Sequence, residues 1–471
     1  MSLKKKVVRN IGFITAAEVF STILSYFLVI FIARRLGASE LGVYAFGFGF
    51  AGIFTFAIDF GISYFFIRQV SKDHKNAQKY FGQYALLKLL FCALAMLLPL
   101  LFLPILKRTP DVNLIIFLAA FSLFFQNYSY VARNTFSAFQ EMEYEAYVRI
   151  AERIFAFVAG LAVLHAGYGI TAFMIVLVFS NFFSLLYAIS LLRKLKVKFS
   201  LKIDVPTWKR MVSTSWTFWL SSVFVIIYFQ VDTVMLSLLK GYGETGIYNA
   251  AYKLIGVVSK IPWIVVLVLF PVMSEAHAKM SKRLLRVILE KGAHLMTIAS
   301  FPLIVGGSLL AQPIILFMYG EEFAGSSVAL QILLFTTLFL FLGNMIGWFL
   351  GAINRPQIFA WTTGICLLIN VILNALLIPL YSYIGASVAT VLTSMVNFLL
   401  LNFYCKQEGY PLRLIQLFGK PLLSALVMGG FILSIKGAVH FLYVIPVAAV
   451  VYGLSLIVIG GIKKEDLQNV F

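Results

Sequence analysis

The chain has 471 residues, 61% of them hydrophobic, 16% aromatic and only 12% charged, with a net charge of +19. A soluble domain carries about 25% charged residues, so this composition excludes a water-soluble globular protein. The positive balance does not make it a nucleic-acid binder either, because most Lys and Arg lie in short connectors between apolar stretches.

About fourteen apolar stretches follow one another, each close to the roughly 20 residues that a helix needs to cross the hydrocarbon core of a bilayer. In chain order the spans are predicted at 11–33, 41–66, 81–106, 112–136, 147–166, 169–192, 212–237, 246–272, 290–317, 326–350, 357–380, 383–405, 414–436 and 440–462. The first is too long for the apolar core of a signal peptide and lacks a small-residue cleavage site, so it is expected to stay as a helix. Alternate connectors are basic. Lys4, Lys5, Lys6 and Arg9 precede the first span, and Arg68, Lys72, Lys75 and Lys79 follow the second. Arg193 to Arg210 follows the sixth, and Lys279, Lys282, Arg283 and Arg286 follow the eighth. The excess of positive charge on the cytoplasmic side of membrane proteins places both termini in the cytoplasm, with a plasma-membrane location as the expectation. Arg34, Arg35, Lys107 and Arg108 are exceptions on the opposite side. Cys92, Cys366 and Cys405 sit in or beside apolar spans without metal spacing and read as small buried hydrophobes.

The basic connector divides the chain into two similar parts. Gly37-Ala38-Ser39-Glu40-Leu41-Gly42-Val43-Tyr44 and Gly241-Tyr242-Gly243-Glu244-Thr245-Gly246-Ile247-Tyr248 share Gly, Glu, Gly and Tyr at a fixed offset, each after the first span of its half. Ser137-Ala138-Phe139-Gln140 and Gly351-Ala352-Ile353-Asn354 occupy similar places after the fourth. Six spans per half is an even number, so the halves are parallel repeats, an architecture of transporters. The expected fold is an all-α membrane protein of about 14 transmembrane helices. It consists of two pseudo-symmetric six-helix lobes around a central cavity, plus two C-terminal helices. The expected domains are an N-terminal lobe at 1–195, a cytoplasmic linker at 196–211, a C-terminal lobe at 212–406 and an appendage at 407–471.

Charges inside spans are costly and mark function by default. Glu18, Asp59, Lys88 and Arg153 lie at similar depth, roughly 10 Å from one face. They read either as an ion-paired network locking the first lobe or as groups that meet a coupling ion (Asp59, Glu18) and a phosphate (Lys88, Arg153). In the second half Lys253, Gly256 and Lys260 fall on one helical face. Asp232 matches Lys253 in depth. No acid in the sequence matches Lys260, which makes it the leading candidate to meet an anionic substrate. Asn370 and Asn374, one turn apart, suit interhelical hydrogen bonds or sugar hydroxyls.

Several segments resemble a known family. GASELGVYAFGFGFAGIFTFAIDFGI at 37–62, YGEEF at 319–323, GAINRPQ at 351–357 and LINVILNALLIPLYSYIGASVATVLTS at 368–394 are similar to lipid-linked oligosaccharide and polysaccharide flippases. These belong to the multidrug/oligosaccharidyl-lipid/polysaccharide exporter superfamily. The resemblance covers essentially the whole chain. It implies two six-helix lobes with two trailing helices, and transfer of a polyprenyl-(pyro)phosphate-linked oligosaccharide from the inner to the outer leaflet by alternating access. Its partners would be the bilayer, the lipid-linked glycan and polysaccharide assembly proteins. No cofactor is expected beyond coupling to a proton or sodium gradient. No Gly-x-x-x-x-Gly-Lys-Ser/Thr, His-Glu-x-x-His, Cys-x-x-Cys or Gly-x-Ser-x-Gly motif occurs, so a non-enzymatic transporter is expected. Two alternatives remain at this point. A cation-coupled multidrug antiporter of the same superfamily is disfavoured by the basic bias of the buried charges. A polysaccharide polymerase or ligase is disfavoured by the short outer connectors.

Overall fold

A computed structural model of the chain describes residues 3–195, 197, 202–435 and 437–461. Every backbone N–H and C=O inside a bilayer must be bonded within the protein, which leaves helices as the solution for apolar sequence of this kind. The helices are α1 (Leu3–Ile53), α2 (Ile62–Lys72), α3 (Asn76–Leu101), α4 (Leu103–Leu106), α5 (Pro110–Ala138), α6 (Met142–His165), α7 (Ile170–Leu192) and α8 (Val205–Lys240). There follow α9 (Tyr242–Val258), α10 (Lys260–Ala278), α11 (Lys282–Tyr319), α12 (Ser326–Ala352), α13 (Pro356–Gln407), α14 (Leu414–Ile435) and α15 (Phe441–Val458).

Among the described residues, 11 helical stretches are long and apolar enough to cross a membrane. Two of them are double spans, because α1 turns at Gly37 (φ 82°) and α13 at Ser382 (φ 51°). The α6 helix falls outside that set only because Glu143, Glu145, Arg149, Glu152 and Arg153 lie within it. Counting it and the two doubled helices returns the fourteen membrane helices of an all-α, multi-pass protein.

Local chemistry explains the boundaries. Pro110, Pro206 and Pro356 open α5, α8 and α13, where the missing N–H costs nothing. Asp204 caps α8 by accepting from Thr207 N at 3.1 Å and from Thr207 Oγ1 at 2.6 Å. Those two bonds hold the Asp204 carboxyl below its ordinary value. The side chain of Gln83 in α3 fixes the approach to this cap, donating to Lys202 O and accepting from Asp204 N at 2.9 Å.

The chain forms two compact units, Met1–Gly246 and Ile247–Phe471. In the first, α5 lies against α1, α3 and α7, and apolar clusters fill the spaces between them. In the second, α12 lies between α11 and α13, with Phe341, Met345, Ile346 and Phe349 fully buried. The trailing helices α14 and α15 dock on α11 through Ala425, Met428, Ile432 and Ala448. Pro302 and Pro313 lie inside α11, which runs on through both.

The sequence repeats reappear as backbone geometry. Gly37 has φ 82° and ψ −179°, and its counterpart Gly241 has φ 88° and ψ −175°. Five residues into each motif, the backbones touch reciprocally. A Cβ on Gly42 would lie 1.8 Å from Tyr242 O, and a Cβ on Gly246 would lie 1.8 Å from Ala38 O. Gln140 (φ 57°) and Asn354 (φ 62°) end α5 and α12 in the same left-handed turn. Glu141 N bonds Phe136 O at 2.9 Å, and Arg355 N bonds Leu350 O at 2.8 Å, the same Schellman closure twice.

Candidate functional site: charged clusters inside the membrane helices

The first cluster is built where a span breaks. After α1 the chain makes a tight turn at Phe54–Ile58, then passes through Phe60 (φ 44°) and Gly61 (φ 76°) before α2 begins. Asp59 lies in that break, and its carboxylate holds the start of α2. Oδ1 accepts from Ser63 N at 2.9 Å, and Oδ2 accepts from Ser63 Oγ at 2.7 Å. The carbonyl of Phe56, released by the break, accepts from the indole Nε1 of Trp219 at 2.7 Å.

Lys88 of α3 reaches Asp59 Oδ2 at 2.9 Å and Ser63 Oγ at 3.4 Å. Tyr84 Oη is 2.8 Å from Ser63 Oγ and accepts from Asn134 Nδ2 at 2.8 Å. Because Ser63 gives its proton to Asp59, Tyr84 must donate to Ser63. The bonds therefore run in one direction, from the Asn134 amide through two hydroxyls to the carboxylate. The Lys88 side chain is 2% exposed while that of Asp59 is 41% exposed. A charged pair buried on one side only can be reached by an ion, a proton or a solute from the other.

The second cluster joins four helices. Glu18 of α1 pairs with Arg149 Nη1 of α6. Arg149 Nη2 also meets Glu145 at 2.8 Å, and Glu145 meets Arg133 of α5 at 3.2 Å. Arg133 lies 4.0 Å from Glu152, which accepts from Ser184 Oγ of α7 at 3.1 Å and lies 3.5 Å from Arg153. Arg133, 3% exposed, also covers the ring of Tyr130 at 4.4 Å. Three carboxylates face three guanidiniums, which is how buried charge is tolerated.

Of the four equal-depth charges predicted to share a level, the structure thus brings Asp59 and Lys88 together. Glu18 goes to Arg149 and Arg153 to Glu152. Sequence reading missed Glu145 and Glu152 as cluster members, and Ser63, Tyr84 and Asn134 altogether. The signal available was the spacing of residues 145, 149 and 152 along one face of α6.

In the second unit, Lys253 and Lys260 are exposed, as is Gly256 between them. They do not share one continuous helix, because α9 ends at Val258 and Lys260 opens α10. Pro262 is the cause: it cannot donate the N–H that would bond Val258 O. The break is slight. Ser259 keeps φ −63° and ψ −10°, and its N–H still bonds Ile255 O at 2.9 Å. Lys260 is also not a lone ammonium, having an interaction of its own within the chain. Asp232 is buried on α8. Asn370 and Asn374 are buried on α13, where Asn374 Nδ2 donates to Asn370 Oδ1 at 3.0 Å. They meet each other inside the helix packing rather than open space.

Residues 7–277 match the sequence profile described as polysaccharide biosynthesis protein, and residues 218–376 match that of MatE. The probable low-salt glycan biosynthesis flippase Agl15 of Haloferax volcanii is 23% identical over 423 residues, covering 89% of this chain and 88% of that protein. The fold is similar to that of the lipid II flippase MurJ in an inward closed conformation, with a TM-score of 0.76 at 19% identity over 98% of this chain and 100% of that one. An inward-facing multidrug resistance MATE transporter gives a TM-score of 0.69 at 13% identity, over 82% and 94% of the two chains.

Proposed function

Since this chain belongs to the polysaccharide biosynthesis protein family, we propose that it is a flippase for a polyprenyl-(pyro)phosphate-linked oligosaccharide. It carries the glycan headgroup from the cytoplasmic to the outer leaflet of the plasma membrane by alternating access, for use by enzymes of cell-surface glycan assembly. The observation that carries this reading is the pair Lys253 and Lys260, exposed on a membrane helix interrupted between them. Ammonium groups within a membrane span are costly in lipid and favourable beside a phosphate, where the lower dielectric strengthens the attraction. The full-length similarity to a protein named as a glycan flippase supports it. The multidrug antiporter reading draws on the MatE match, but basic groups disfavour a cationic drug.

The partly open pair Asp59–Lys88 is the proposed place for coupling to a proton or sodium gradient. Protonation of Asp59 would remove the negative partner of Lys88, and the tie between the α2 start and α3 would weaken.

The transport test uses purified protein in liposomes with a fluorescent polyprenyl-pyrophosphate-linked oligosaccharide. Lys260→Ala is expected to reduce flipping at least about tenfold, the loss of one phosphate contact of roughly 1.4 kcal/mol or more, at unchanged protein amount. Lys260→Arg is expected to retain part of it. Flipping at the wild-type rate by Lys260→Met would remove this residue from the substrate path, and Lys253 and Arg153 would come next.

Topology is tested separately. With Cys92, Cys366 and Cys405 buried, a cysteine replacing the exposed Ala324 should react with an impermeant maleimide added to intact cells. One replacing the exposed Met280 should react only after lysis. The reverse pattern would invert the assigned orientation and with it the direction of transport.

A further inference from the structure

The first unit contains a cavity of about 350 Å³ between α3, α5 and α7, lined by Phe81, Ala85, Val131, Leu185 and Ile189, with Arg193 at its rim. It is separate from both charged clusters. Its wall is apolar, and among the described lining residues Arg193 carries the only charge. From Leu185 to Arg193 the wall follows two turns of α7, roughly 12 Å, from the membrane interior to the basic connector. Ile189 is 41% exposed, so the wall is open to the side where lipid lies.

Arg193 differs from the basic groups around it. The neighbouring Lys194 Nζ sits over the ring of Tyr144 at 5.2 Å. Lys79, on α3, sits over Tyr80 at 5.3 Å. Arg193 is exposed and makes no ion pair with a described carboxylate. A guanidinium at the interface end of an apolar slot matches one molecule in two places. The phosphate takes the planar donor fork, and the chain below it takes the apolar wall.

We propose that this cavity binds one acyl chain of an anionic phospholipid from the leaflet that faces the basic connectors, with the lipid phosphate on Arg193. A phospholipid is favoured over the polyprenyl-linked substrate because the lining runs along only about two turns of α7, roughly 12 Å, a length nearer to an acyl chain than to the much longer polyprenyl chain. The basic connectors also lie against the leaflet in which anionic phospholipids concentrate. The bound lipid would fill the space between α3, α5 and α7 and fasten the end of α7 to the membrane surface. This assignment stands on the membrane fold and the cavity, and does not depend on the transport reading.

The test is native mass spectrometry of the full-length protein in detergent with one equivalent of phosphatidylglycerol, phosphatidylcholine or polyprenyl phosphate. Wild type is expected to retain phosphatidylglycerol about fivefold better than phosphatidylcholine, as one interfacial Arg allows. Arg193→Ala should erase that preference. Arg210→Ala, which removes another exposed charge that does not line the cavity, should leave it intact. Ile189→Trp, at the partly exposed wall, should lower retention of both phospholipids by filling the slot. Equal losses in Arg193→Ala and Arg210→Ala would reduce the effect to general surface charge and overturn the site. Displacement of phosphatidylglycerol by polyprenyl phosphate would assign the cavity to the substrate instead, and would overturn the phospholipid assignment while strengthening the transport reading.

Discussion

Asp59→Ala is expected to destabilise the protein by about 3 kcal/mol, the lower end of the range for orphaning one member of a buried ion pair. Among the described residues, the Lys88 side chain, 2% exposed, would then keep only Ser63 Oγ at 3.4 Å as a hydrogen-bond partner. Lys88→Met should cost much less, about 1 kcal/mol, because the carboxylate it strands is 41% exposed and already bonded to Ser63. The double substitution should be more stable than Asp59→Ala alone, since methionine fills the space of the lysine stem without a charge to desolvate. A thiol-reactive dye is a suitable reporter of unfolding, because Cys92, Cys366 and Cys405 are all buried thiols. Equal losses for the two single variants, or additive losses in the double, would show that the pair is not what holds the α2 break to α3.

Gly246→Ala should lose at least about 3 kcal/mol, because its new methyl group would sit 1.8 Å from the backbone carbonyl of Ala38 and no rotamer change can relieve it. Gly42→Ala should behave alike against Tyr242 O. Helix propensity pulls the other way, but alanine gains only about 1 kcal/mol over glycine in a helix, so the clash decides the sign. Gly243→Ala, three residues earlier in α9 with nothing within 4 Å of its Cβ, isolates the propensity term and should be neutral or stabilising. The same dye assay reads all three. A melting temperature for Gly246→Ala at or above that of Gly243→Ala would mean the close approach is not a fixed part of the native fold.

The spans were legible because the bilayer imposes a length and an apolarity that few other environments demand. The Gly37 and Gly241 turns were legible because a left-handed residue recurs at the same place in a repeated motif. Partner choice among the charges was less legible. Depth can be counted along a helix, but the direction a side chain points around the helix axis depends on how neighbours pack. Glu18 therefore reads as level with Lys88 and Arg153, yet meets Arg149, which lies one helical turn from Arg153. Glu145 and Glu152 have no counterpart charge at a matching depth that sequence alone would single out, yet their side chains are only 11% and 4% exposed. The break at Asp59 has no proline to announce it. Gly61 is its only local hint, and the stabilising partners, Trp219 and Tyr84, come from far along the chain.

The Gly42–Tyr242 and Gly246–Ala38 contacts have the form of a two-fold dimer interface carried inside one polypeptide. Residue i of one motif touches residue j of the other, and j touches i, which is the isologous arrangement of a symmetric homodimer. In a true homodimer a single change at such a glycine is felt at both copies of the contact, so its cost is doubled and neither side can vary alone. Covalent fusion of the two motifs splits that cost between two independent codons. Each contact can then be weakened or tightened by itself, and an interface that symmetry would keep uniform becomes one in which the two sides are free to diverge.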